Sequence, residues 1–279
     1  MVSGKFPAAR RWMVAAALMA ATAGAFGQDG PHLRHRVFLQ WGYNRAQFST
    51  SDIRFTGPGY DFTLNSVVAK DRPEPFSLNG YFNPKYLWIP QYNYRAGWFP
   101  SERWSISIGL DHMKYVMVRG QQVAYTGHLG DDGNGRQYAG SGQLDLTPDL
   151  LTYEHTDGLN LLSVELDHYL RLWHSGNGLH ALYFTPGLFA GPVIPRTDVR
   201  LFGEGLNNRF HLAGYGIGAQ AGIFALVHDR IFVRARVHAG FINLPDVLTT
   251  GTADERAKQH FYFIEEQVVL GVLIGRGKP

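Results

Sequence analysis

Between Leu33 and Gly275 the chain falls into eight strand-like runs joined alternately by tight turns and long polar segments. The tight connections are Pro100-Ser101-Glu102-Arg103, Ser175-Gly176-Asn177-Gly178 and His228-Asp229-Arg230. The long ones run from Ser49 to Lys85, Arg119 to Gly158, Ile194 to Asn208 and Asn243 to Gln259. A sandwich in water has no reason to sort its connections by length. A sheet closed across a membrane does, with short turns on one side and long loops on the other.

The runs carry the period of two expected of strands with unlike faces. In Leu33 to Phe48, Val37, Leu39, Trp41 and Tyr43 alternate with Arg34, Arg36, Gln40 and Asn44. Tyr86 to Phe99 sets Tyr92, Tyr94, Ala96 and Trp98 against Gln91, Asn93 and Arg95, with Pro90 read as a bulge because proline cannot donate to a ladder. Trp104, Ile106, Ile108 and Leu110 then face away from Ser105, Ser107, Gly109 and Asp111. Leu161 to Trp173 opposes Leu162, Val164, Leu166, Leu170 and Leu172 to Ser163, Glu165, Asp167, Tyr169 and Arg171. Leu179 to Val193 and Arg209 to Val227 are richer in glycine. Ile231, Val233, Ala235, Val237 and Ala239 alternate with Arg234, Arg236 and His238. In the last run, His260 to Gly275, Ile264, Val268, Leu270, Val272 and Ile274 oppose Glu265 and Gln267, with Glu266 on the apolar side.

Residues 1–27 read as a secretory signal. Lys5, Arg10 and Arg11 precede an apolar core from Met13 to Ala25, with small residues Ala23, Ala25 and Gly27 at its end. That core is short of the roughly 20 residues that span a bilayer. The remainder, 28–279, holds no apolar run of spanning length and reads as one domain. Any crossing must then be made by a closed sheet, which satisfies its own backbone polar groups. A mean hydropathy of -0.17 suits alternating faces. The 33 glycines ease curvature, and a 14% aromatic content supplies interfacial girdles. With no cysteine there is neither a disulfide framework nor a thiolate metal site. A net charge of +3 is too mild for nucleic-acid binding.

The expected fold is thus all-β: an antiparallel up-and-down transmembrane β-barrel of about eight strands. Its polar face must point inward, where buried charges require partners. The expected lumen charge network is Arg95, Asp111, Glu165, Asp167, Arg171, Arg234, Arg236 and Glu265. A barrel this narrow is filled by side chains. Trp41, Trp88, Trp98, Trp104 and Trp173 are the expected membrane-interface aromatics. On the signal, the strand count, the turn-loop asymmetry and these tryptophans, the chain resembles the small outer-membrane β-barrel proteins of Gram-negative bacteria. That class contains the OmpA transmembrane domain, OmpX and OmpW. The resemblance covers nearly all of 28–279 and implies outer-membrane lipid and the barrel-assembly machinery as partners. Members typically end in an aromatic residue recognised during assembly, whereas this chain ends Ile274-Gly275-Arg276-Gly277-Lys278-Pro279.

For activity the expectation is negative, with no cofactor and no metal. Asp111-His112 and Asp167-His168 place each histidine on the wall opposite its own aspartate. The resemblance brings lipid A deacylases and acyltransferases in as the alternative, but the deacylase pattern calls for His-x-Ser, which is missing here. A lumenal set of Ser105, Ser107, His238 and Asp111 can be assembled on paper, and a narrow channel is the other alternative. Gly130-Asp131-Asp132-Gly133-Asn134-Gly135 looks like a calcium turn without the glutamate at loop position twelve, and reads as a flexible loop. His128 and His155 read as ordinary surface residues. The first long loop, through Ser51 to Phe55 and Tyr60 to Leu64, reads as an ordered hairpin. Phe55, Tyr60, Phe62, Tyr125, Tyr138 and Phe202 either meet an extracellular ligand or pack the loops on one another. The expected role is structural or one of surface interaction.

Overall fold

A computed structural model describes residues 30–279 except 87–88, 132–136, 204, 206–208, 251–252 and 278–279. The expected signal, Trp88 and most of the calcium-like turn lie outside the described residues. In chain order, β1 spans Val37–Phe48, β2 Ser51–Gly57, β3 Tyr60–Val67 and β4 Ala69–Lys70. Then come α1 Leu78–Phe82, β5 Tyr92–Ser101, β6 Trp104–Met117, β7 Gln122–Asp131 and β8 Gln137–Asp145. The second half contributes β9 Leu151–His168, β10 Leu170–His174, β11 Ala181–Phe184 and β12 Gly187–Pro195. It ends with β13 Asp198–Leu201, β14 Gly214–Val227, β15 Ile231–Leu248 and β16 Arg256–Ile274.

Among the described residues the sheet is antiparallel throughout and has sixteen strands, more than the roughly eight expected. Pairing runs β1 to β5, β6, β9, β12, β14, β15 and β16, and β16 pairs back to β1 from Val37↔Ile274 to Phe48↔Phe263. The ring is therefore closed. β10 prolongs β9 past Tyr169, and β11 leads into β12 across Thr185-Pro186, so those four segments make two walls of the ring. The extra strands lie at the long-loop end. There β2 pairs the start of β16, β3 follows β2, and β7 and β8 extend the same sheet. Most of the long connection read from Arg119 to Gly158 is thus strand, in β7, β8 and the start of β9.

The strand ends shift against the sequence reading. β1 begins at Val37, so Arg34 precedes it and is exposed rather than inward. β5 begins at Tyr92, and Pro90 sits in the bend before it rather than in a bulge within it.

Outside, the wall is apolar. Ile108, Val164, Leu188, Val268 and Leu270 are 60%, 59%, 62%, 60% and 59% exposed. Along β15, every second residue from Ile231 to Phe241 is apolar and faces outward. At about 3.4 Å per residue and a tilt near 40°, that run rises roughly 26 Å, close to the ~25 Å apolar band of outer-membrane barrels. The band ends toward the loops near Tyr43, Tyr92, His112, Asn160, Tyr215 and Tyr262. Trp98, Trp104 and Trp173 stand exposed near the turns. Trp41 sits higher on β1, with its ring 4.7 Å from Tyr43.

Inside there are three tiers, not the uniformly polar filling expected. Near the turns, Leu33, Phe38, Phe99, Tyr169, Phe224, Phe232 and their neighbours form a buried aromatic floor. Above the charged middle, Phe48, Ile53, Phe55, Phe62, Tyr115, Tyr153, Phe261 and others form a larger apolar core. Strands that run past the charged tier still need their inner faces covered, and aromatic side chains do this where no charge needs a partner.

Candidate functional site

Inward positions on neighbouring strands stack their side chains into the middle tier. Arg95 of β5 donates through Nε to Glu165 Oε1 at 2.8 Å, and through Nη2 to both oxygens of Asp111 at 2.6 Å. Arg236 of β15 donates to Glu165 Oε2 at 2.9 Å and to Gln267 Oε1 at 2.8 Å. Glu165 thus joins two arginines from different walls. Arg234 holds Asp167 with both terminal nitrogens, at 3.0 and 2.9 Å, and reaches Thr185 Oγ1 at 3.1 Å. Gln220 donates to Asp167 at 2.7 Å and Gln267 to Asp111 at 2.7 Å. Every charged side chain in these ion pairs is at most 1% exposed.

Two glycines let these contacts form. Arg95 is paired with Gly109 on β6, beyond which lies β9. A Cβ on Gly109 would come within 2.8 Å of the Arg95 side chain and 2.9 Å of Glu165 Oε1. Gly187 on β12 does the same between Asp167 and Gln220, where a Cβ would approach Asp167 Oδ1 to 2.4 Å. Side chains from alternate strands therefore meet over a notch in the strand between them.

Glu265 stands apart. Its oxygens accept from the Asn44 and Gln267 amides, and no guanidinium lies in ion-pair reach of it among the described residues. His238 is fully buried, stacks on Phe189 at 4.8 Å, and neither ring nitrogen has a hydrogen-bond partner. Its Nδ1 is 3.7 Å from Asp111 Oδ2 and 3.7 Å from Glu265 Oε2.

Seven of the eight residues of the expected network are brought together here. Arg171 is not among them. It is exposed, beyond the floor tyrosine Tyr169, where the pairing register of β10 shifts and water reaches the open end of the ring. Asn44, Gln220, Gln267 and Thr185 complete the network. Asn44 and Gln267 carried a signal, since both lay on the polar face of their runs.

Other chemistry finds less support. Asp111, Glu165 and His238 each offer a ligand atom within 4.8 Å of the others, a spacing that suits a metal ion. The carboxylates are already engaged by Arg95 and Arg236, so a dication would lie against two guanidinium groups, and we assign them no metal role. Ser105, Ser107 and His238 all face inward, but no hydrogen bond joins the ring to either hydroxyl. On the outer wall, His112 and His168 point away from the lumen. His112 contacts Asn160 Oδ1 at 2.9 Å and stacks on Tyr92 at 4.9 Å, beside Asp157 and Phe210, in a groove of about 280 Å³. That groove's lining holds no serine, threonine or cysteine.

Toward the loops, His155 is buried rather than a surface residue. Its Nδ1 meets Thr197 Oγ1 at 2.8 Å, and burial pushes its pKa down to about 3. Burial likewise pushes the Tyr115 hydroxyl up to about 12. Phe55 and Phe62 stack at 5.1 Å within the core, and Tyr125 is buried there too, so these loop aromatics pack on one another.

No protein-family model and no curated protein sequence matches the chain. Among solved structures, it is similar to the outer membrane protein OprG from Pseudomonas aeruginosa at 11% identity and a TM-score of 0.39, over 88% of this chain and 98% of that one. It is similar to Ail, the attachment invasion locus protein of Yersinia pestis, at 8% identity and a TM-score of 0.27, over 85% and 99%. The outer membrane protease OmpT from Escherichia coli matches at 10% identity and a TM-score of 0.23, over 86% and 97%. These similar structures are outer-membrane β-barrel proteins.

Proposed function

We propose that this chain is an integral outer-membrane β-barrel, sealed to solutes by its own side chains, which serves the envelope as a structural or surface-display element. One observation carries the reading: the faces of the wall are inverted relative to a soluble protein. Aliphatic residues such as Ile108, Val164 and Leu270 lie bare on the outside, while Arg95, Asp111, Glu165, Asp167, Arg234 and Arg236 are buried within. In water that arrangement would expose a continuous apolar patch far larger than monomers tolerate. In lipid it is the stable one.

Among the described residues, three tiers of buried side chains fill the ring. The role is therefore not that of an open channel. We also read it as non-enzymatic: among the described residues the outward His112–Asn160 groove is lined by no serine, threonine or cysteine, and neither Ser105 nor Ser107 is hydrogen-bonded to His238. Lipid surrounds the belt, the barrel-assembly machinery inserts it, and the loop-end hairpins offer the face on which an outside ligand would act.

Refolded protein in a planar bilayer tests the sealed interior. Conductance at the level of a protein-free bilayer is expected, and discrete steps in most insertions would overturn it. The membrane reading has its own readout. Unboiled protein should migrate differently from boiled protein on a denaturing gel and stay in washed outer membranes. Release by a salt or urea wash would end it.

A further inference from the structure

The middle tier has an uneven charge ledger. Three arginines, Arg95, Arg234 and Arg236, face four acids, Asp111, Glu165, Asp167 and Glu265, all of them buried. Each guanidinium group already has a carboxylate partner, and only Arg234 Nε and Arg236 Nη2 are left over among their buried nitrogens. Arg95 spans Asp111 and Glu165, Arg236 holds Glu165, and Arg234 grips Asp167. One negative charge remains, and it falls on Glu265, whose contacts within hydrogen-bond reach among the described residues are the amides of Asn44 and Gln267. A lone ionised carboxylate with only neutral donors is costly in such a place and neutralises instead.

We propose that Glu265 is a neutral carboxylic acid in the folded barrel, and that the lumen holds one resident proton there as its fourth positive charge. His238 is the competing seat. Its Nδ1 is 3.7 Å from both Asp111 and Glu265, too far to donate to either, and the ring stacks on apolar Phe189. The charged or titratable groups that face Glu265 are Arg95 from β5, Asp111 from β6 and His238 from β15, with Glu165 of β9 held by Arg95 and Arg236 behind them. Asn44 of β1 completes the seat. Its Oδ1 has no partner, so turning that amide over gives the acid's hydroxyl an acceptor. A metal ion is the other way to supply positive charge. It fits worse, because a dication overshoots the single missing charge and must sit beside Arg95.

The proposal separates two acids that look alike in sequence. Glu265→Gln keeps the shape and the neutral charge, so its urea midpoint at neutral pH should match or exceed that of the parent barrel. Glu165→Gln strips two arginines of their shared partner, so its midpoint should drop sharply or refolding should fail. Raising the pH to about 9 should lower the parent's midpoint and leave that of Glu265→Gln unmoved, since a proton bound only by the folded state favours folding less as pH rises. The infrared spectrum of the parent in heavy water should contain the carbonyl stretch of a protonated carboxyl group, lost in Glu265→Gln. If Glu265→Gln is as damaged as Glu165→Gln, or if the parent lacks that band, the acid is ionised and the proposal fails. One equivalent of metal by elemental analysis of the purified barrel, lost in Glu265→Gln, would overturn it in favour of a cation site.

Discussion

Gly109 shows how much of this lumen depends on atoms that are missing. With no side chain on β6 at that point, Arg95 passes over the strand to Glu165 on β9. Gly109→Val should therefore lower the urea midpoint by an amount equivalent to about 1–3 kcal/mol, the usual cost of overpacking. Gly176, in a turn with nothing near its Cα, is the control, and Gly176→Ala should move the midpoint little. The inward face of β6 was legible in the sequence because Ile106 and Ile108 alternate with Ser105 and Ser107. The notch was not. Which residues flank a glycine across two ladders depends on register, and one strand's sequence does not contain its neighbour's register. Arg171 illustrates the opposite failure. Its parity is right, but parity says nothing of where a tube ends and water begins.

Among the elements, β9 reaches from one environment to another, with Leu166 on the outer belt and His155 against Tyr115 and Tyr153 at the loop end. His155 sat in a stretch read as loop, although Leu151 and Tyr153 alternate with Thr152 and Glu154 just before it. Its buried neutral ring makes the loop-end half sensitive to acid. In the unfolded chain the ring titrates near ~6.5, whereas burial holds it near 3 in the fold. Between those values the unfolded state binds the proton that the folded state refuses. Stability is then full above the unfolded value and falls as pH drops through the window, by up to a few kcal/mol. Hydrogen exchange at about pH 4 should report loosening around Tyr115 and Tyr153, and His155→Asn should remove that acid sensitivity. Equal protection at pH 4 and pH 7 in the parent would contradict the assignment. The hairpin of β7 and β8 pairs with β3 and packs on the loop-end core but is no part of the ring, because β6 and β9 pair directly beneath it. Replacing 120–146 by a short glycine-serine turn should leave the gel-shift behaviour of the barrel intact. Loss of that shift would mean the hairpin is needed for closure.

At the scale of the molecule, the strand runs and the segregation of turns from loops were readable because an apolar outer wall and a charged interior impose opposite chemistries on successive residues. The extra strands were not, since hairpins beyond the apolar band bury one face against a core and scatter their polar residues as loops do. Nor were the tiers. Phe38, Phe99 and Phe232 occupy polar-phase positions in their runs, and only closure of the ring gathers them into a floor beneath the charges.

The seam between β1 and β16 joins the two ends of the ring and sets Asn44 against Glu265. Until that join is made, the guanidinium and carboxylate groups line an open trough, and any water among them is doing the work that partners will later do. Drying of the interior must therefore come last in assembly and come at once. A half-zipped intermediate has no cheap resting state, and this chain should insert as a cooperative unit or stall.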